Sequence, residues 1–136
     1  MVKEFWINLP VKDVKKSKEF FTKLGFSFST EHANTDHSAC MLLGIKNVVI
    51  MLFDEPTFKS FTGNEIGNTQ KSTEVLLSID AESKEQVDEM IKKVLAAGGK
   101  SNHTPHEMDG CMYGCVFYDL DGHLWNILYM DMSLYK

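Results

Sequence analysis

Two polar side chains sit where chemistry would need them. Glu74 heads the apolar stretch EVLLSI, and Asn126 interrupts the apolar run HLWNILYM. A strand as apolar as residues 124–130 is expected to be buried on both faces, so its one amide must find partners or face something polar. A carboxylate in apolar surroundings has two uses. Desolvation raises its pKa toward neutrality and makes it a general base. Alternatively it accepts a hydrogen bond from a ligand or pairs with a ligand's cation. The plain alternative to both is a glutamate at the solvated mouth of its strand.

Other groups invite weaker readings. The stretch HTPHEMDGCMYGC holds His103, His106, Cys111 and Cys115. Its spacing matches none of the usual structural-zinc patterns. Read as one strand, Cys111 and Cys115 would stand about 13 Å apart, too far to share an ion. Loop histidines and small buried thiols are the expectation there. His32 and His37 flank EHANTDH, read as a hairpin loop, and His123 is read as opening a strand at the surface. No Ser-His-Asp order, phosphate-binding glycine loop or redox cysteine pair stands out.

Bulk properties narrow the class. The 136 residues carry 14 Lys and Arg against 19 Asp and Glu, a formal charge of -5 with the signs interspersed, so no nucleic-acid footprint is expected. No apolar stretch approaches the roughly 20 residues of a membrane helix, and the N-terminus lacks a signal-peptide pattern. An odd cysteine count in a chain long enough to fold without disulfides is read as reduced thiols in the cytoplasm.

The elements that must position these groups follow from periodicity. EFWINLPV alternates Phe5, Ile7, Leu9 and Val11 against Trp6, Asn8 and Pro10, as a strand does. Asp13 can cap a helix in which Val14, Ser17, Phe21 and Leu24 share a face, and Gly25 ends it. FSFSTEH, SACMLLG and NVVIMLF read as three strands, with a tight turn from Gly44 to Asn47. Residues 54–72 break the pattern with Pro56, Gly63 and Gly67, and are read as a connection with one helical turn around Thr57 to Phe61. TEVLLSI repeats the strand, with Val75, Leu77 and Ile79 on one face. A second helix directs Val87, Ile91, Val94 and Leu95 inward and closes at Gly98-Gly99. KSNHT, GCMYGCVFYD and HLWNILYM supply three more strands.

The order β-α-β-β-β therefore occurs twice. The expectation is one α+β domain over residues 1–136, made of two tandem βαβββ modules at about 1–54 and about 73–136, joined by a linker at about 55–72. Each module has one sheet face covered by its helix, so the two sheets are expected to form a shared cleft. Matching Ile7-x-Leu9-x-Val11 to Val75-x-Leu77-x-Ile79 sets Trp6 opposite Glu74. Matching the two turn-and-strand units sets Met51 opposite Asn126. Parity puts these positions on the faces turned away from the helices, so Asn126 is expected to face Glu74. Trp6, Asn8, Met51, Phe53, Glu74 and Asn126 form the candidate ligand-binding set, with ordinary core between two sheets as the alternative for Trp6, Met51 and Phe53. Glu74 is the candidate catalytic residue.

The duplicated order, the opening INLPVKDVKKSKEFFTKLGF and the closing FYDLDGHLWNILYMD resemble the vicinal oxygen chelate superfamily. That group includes glyoxalase I, bleomycin-resistance proteins, fosfomycin-resistance enzymes and extradiol dioxygenases. The resemblance covers nearly the whole chain and implies the glyoxalase/bleomycin-resistance/dioxygenase fold, a small-molecule cleft and a homodimer. In metal-dependent members the four matched positions carry His or Glu around one divalent ion, which holds substrate and stabilises an enolate or alkoxide. This sequence departs at three of the four. Trp6 has only a donor nitrogen, Met51 is a soft thioether, and Asn126 offers one neutral carbonyl oxygen. No metal ligand and no cofactor is therefore assigned, although a divalent metal is the family habit. The function implied is sequestration of a small, partly aromatic or cationic ligand without that metal. One alternative is a glyoxalase-like lyase or isomerase, with Glu74 abstracting a proton and Asn126 donating to the developing oxyanion. The other is a non-catalytic interaction domain whose cleft is filled by its own side chains.

Overall fold

Residues 1–134 are described by a computed structural model in which each half of the chain builds one four-stranded sheet. Two compact units result, Met1–Gly67 and a second beginning at Asn68.

In the first unit, β1 (Ile7–Val11) leads into α1 (Val14–Lys23). The Asp13 carboxylate accepts the Lys16 amide at 3.0 Å, which satisfies one of the donors left over at a helix start. The far end closes through Gly25 at φ +98°, a conformation that glycine alone adopts without strain. Strands β2 (Ser27–Phe28), β3 (Ser38–Leu43) and β4 (Val48–Asp54) follow. The sheet order is β1-β4-β3-β2, with β1 parallel to β4 and the other pairs antiparallel. Leu9, Val11, Ala39, Met41, Ile50 and Leu52 are buried on one face, together with Val14, Phe20 and Phe21 of α1. Phe5, expected on that face, is 74% exposed. The parallel ladder begins at Ile7, so nothing pairs with the residues before it.

The expected single helical turn after β4 is instead α2 (Glu55–Thr62). Asp54 accepts the Thr57 amide at 3.0 Å, Pro56 sits where a missing N–H costs nothing, and Gly63 at φ +69° ends the helix.

The second unit repeats the plan with β5 (Leu76–Asp80), α3 (Lys84–Ala96), β6 (His106–Met108), β7 (Met112–Tyr118) and β8 (Leu124–Met130), then a 3-10 turn at Met132–Leu134. Its order is β5-β8-β7-β6, with β5 parallel to β8. Ser83 caps α3 by accepting the Gln86 amide at 3.1 Å. Three expectations change here. KSNHT contributes only the bridge Lys100↔Tyr118, because the Ser101 hydroxyl bonds the carbonyls of His103 and Val116 and turns the chain; the strand starts at His106. Leu95 is 54% exposed, since the buried stripe of α3 runs Val87, Ile91, Val94 and leaves Leu95 at its edge. Val75, ahead of β5, is 51% exposed.

Strand β8 is buried on one face only. Trp125 and Ile127 are enclosed, whereas Leu124, Asn126 and Leu128 are half-buried. Trp125 stacks on Phe117 with centroids 6.2 Å apart, and full burial of such a side chain is worth about 1.5–3 kcal/mol. Among the described residues no helix is long and apolar enough to cross a membrane. The architecture is α+β, two βαβββ units in tandem.

Candidate functional site

Register assigns the candidate residues to faces. In the first unit Asn8, Met51 and Cys40 are ladder neighbours, and so are Pro10, Phe53 and Ser38; all lie opposite the face that packs with α1. Asn8 is exposed, Met51 and Phe53 are half-buried, and Cys40 and Ser38 are buried. Trp6 precedes β1 and is 53% exposed. Phe61 of α2 meets Phe53 edge-on at 5.1 Å, so α2 shelters part of this open face. Burial pushes the Cys40 thiol up, which disfavours a reactive thiolate.

At the start of β3, His37 Nδ1 meets Asp54 Oδ2 at 2.5 Å. That hydrogen bond, and then the charge of Asp54, hold the His37 pKa above its ordinary value. Asp54 is held low by its hydrogen bonds from Thr57 first and His37 second. Sequence reasoning reads this histidine as part of a loop and gives no sign of its partner. Asp54 immediately ahead of EPTF signals the helix cap alone.

In the second unit, Ser78, Asn126 and Val116 are ladder neighbours on the face away from Trp125, Ile127 and Phe117. Leu76, Leu124 and Tyr118 flank them on one side, and Asp80, Leu128 and Gly114 on the other. Asn126 is half-buried and Ser78 exposed. Among the described residues no hydrogen bond reaches either side chain.

Glu74 is exposed and precedes β5 by two residues. It stands four residues ahead of Ser78, a span of at most about 14 Å. The ladder neighbour of Asn126 is thus Ser78, not Glu74. The internal match of the two halves also shifts. Met51 pairs with Asn8 and Asn126 with Ser78, and each of Asn8 and Ser78 lies five residues before its helix cap, Asp13 and Ser83 (13 − 8 and 83 − 78). In this frame Trp6 corresponds to Leu76 and Val11 to Ala81, both of the latter pair buried. The apolar triplets matched by sequence are two residues out of step. Alternation repeats every two residues, so a slip of two leaves the pattern and the face unchanged.

The turn that aims β8 is built on Asp119, 5% exposed. Its Oδ1 accepts the amides of Asp121 and His123, both at 3.0 Å, and its Oδ2 accepts the Trp125 indole N–H at 3.1 Å. Burial pushes this carboxyl up, against the pull of His123 and of the three donors. Thr69 Oγ1 donates to the Asp121 carbonyl at 2.7 Å and crowds the place where a Cβ on Gly122, at φ +82°, would stand, so only glycine fits there.

The histidine–cysteine stretch makes no cluster. Cys115 is buried with Sγ 3.4 Å from the His103 carbonyl, His106 Nδ1 is 2.9 Å from the Thr104 carbonyl, and Cys111 is half-buried in the turn before β7. Among the described residues no three His, Cys, Asp or Glu side chains are grouped to hold a metal. Taken one by one, Trp6 offers an indole without an acceptor, Met51 a thioether and Asn126 a neutral amide oxygen, all poor ligands for a hard divalent ion, and Glu74 alone carries a carboxylate.

Comparison with known proteins places this geometry. The Glyoxalase/Bleomycin resistance protein/Dioxygenase superfamily matches residues 5–127. A hypothetical protein from S. aureus of known structure is 30% identical, with 95% of each chain covered and a TM-score of 0.85. A glyoxalase/bleomycin resistance protein/dioxygenase family enzyme from Burkholderia phytofirmans PsJN is 19% identical over 92% of this chain and 96% of that one, TM-score 0.77. The fosfomycin resistance protein FosX from Listeria monocytogenes is 18% identical over 98% and 97%, TM-score 0.67, a likeness of fold alone. No curated protein matches.

Proposed function

The chain belongs to the Glyoxalase/Bleomycin resistance protein/Dioxygenase superfamily, and from that premise we propose that it binds small organic molecules on the open face of a sheet, without a divalent ion. The observation that carries this reading is the residue type found at each of Trp6, Met51 and Asn126. An indole, a thioether and an amide are poor ligands for a hard cation and good surfaces for an organic molecule. On the first sheet Trp6, Met51 and Phe53 supply aromatic and polarizable contact and Asn8 a hydrogen-bonding amide; on the second Asn126 supplies hydrogen bonds, and Glu74 adds negative charge ahead of β5.

The working form in this reading is a homodimer. Phe5, Trp6, Val75 and Leu76 are each more than half exposed, and a second copy would cover side chains of this kind.

Ligand-observed NMR on chelator-treated protein, against a panel of aromatic, neutral polar and cationic compounds, tests the reading. Micromolar binders that lose about tenfold in affinity on Trp6→Ala or Met51→Asp are expected. Binding that appears only after adding stoichiometric Ni, Zn or Mn would overturn it.

A further inference from the structure

We infer that Ser78 and Asn126 form a two-point recognition element for a neutral group bearing both a donor and an acceptor, of the carboxamide type. The inference rests on the small-molecule reading above and names the chemistry that one part of that site selects.

The two residues are direct ladder partners, so their side chains leave adjacent strands on the same face, about 5 Å apart. The Asn126 amide offers two N–H donors and an acceptor oxygen, and the Ser78 hydroxyl donates and accepts. Neither is used by the described residues. Val116, Leu124 and Leu128, all half-buried, surround Asn126 on this face. An apolar border of this kind strengthens a hydrogen bond made there and raises the cost of one left unmade.

Charge narrows the ligand further. Strands β5, β7 and β8 carry no Lys, Arg or His, so nothing on them would neutralise a carboxylate or phosphate beside Asn126. The acids nearby are Asp80, two residues along β5, and Glu74 ahead of the strand, and both are exposed. An anion beside Asn126 therefore meets no cationic side chain on these three strands. The exposed His106 of β6 lies on the same sheet face but in the next row, across Gly114, with its Nδ1 on the Thr104 carbonyl. A cation would be drawn to the strand ends and away from Asn126. A carboxamide gives its carbonyl to one of the pair and its N–H to the other. A site of this sort rejects an analogue that lacks the matching group more strongly than an apolar pocket can.

Benzamide, benzoate and benzylamine share one ring and differ in head-group charge, which makes them suitable probes. Titrated into the full chain, benzamide should bind and shift the Asn126 side-chain amide resonances. Ser78→Ala, a conservative change at an exposed strand position, and Asn126→Leu should each weaken it by about fivefold to tenfold. Unchanged benzamide affinity in both variants overturns the inference. Benzylamine binding that is lost on Glu74→Gln or Asp80→Asn, with benzamide silent, also overturns it while leaving the small-molecule reading standing. Silence from all three probes counts against both.

Discussion

The two units follow one plan and differ at the ladder positions that face away from their helices. Each opens with a strand parallel to its last strand, followed by a capped helix that ends near a glycine. Under the helices the residue types agree: Leu9, Leu52 and Met41 in one unit, Leu77, Trp125 and Phe117 in the other, all buried. On the opposite faces the row Asn8–Met51–Cys40 corresponds to Ser78–Asn126–Val116, and the polar amide changes strand. The unit closures differ too. The first uses the exposed His37–Asp54 pair at the start of α2, the second the enclosed Asp119 turn. Packing fixes one face of each sheet, while the other is free to carry different chemistry.

Substitutions at three positions probe that contrast. Trp125→Ala should cost about 3–5 kcal/mol in chemical denaturation, because it empties the buried face of the second unit and strands an acceptor on Asp119. A loss below 1 kcal/mol would mean that this face is not the core.

Asp119→Ala leaves three donors without their acceptor and should cost about 2–3 kcal/mol. Burial raises the Asp119 pKa in the folded chain, so its stabilising contribution is fully present below the unfolded value of about 3.9 and is lost as pH rises through the folded value. Asp119→Asn should flatten stability against pH across that window in thermal melts.

The smallest effect belongs to the first unit. Asp54→Ala removes the α2 cap, for about 1 kcal/mol, and returns the His37 pKa toward 6.5 in an NMR titration. His37 is raised, so its part of the pair is present below about 6.5 and lost as pH rises through the folded value. Asp54 is lowered, so its part is present above about 3.9 and lost as pH falls through its depressed value. An unmoved His37 titration in the variant would break the assigned pairing.

Periodicity and end signals made most of the architecture legible. The alternation around Leu9, the inward stripe of Val87, Ile91 and Val94, the Asp13 cap and the Gly44–Asn47 turn all appear where local physics puts them. The rest depended on pairing. Whether Glu74 or Ser78 lies beside Asn126 turns on register, and a two-residue slip keeps every apolar side chain on its proper face. The extent of α2 was hidden because Pro56 and Gly63 read as loop punctuation, although they mark its start and end. The His37–Asp54 contact joins residues 17 apart, and no local pattern announces it.

Elemental analysis of the purified, dialysed protein bears most directly on the central claim. Far less than one Zn, Ni, Mn or Fe per chain is the predicted result, with Glu74→Gln leaving that figure unchanged. One ion per chain that survives dialysis and disappears with Glu74→Gln would contradict it.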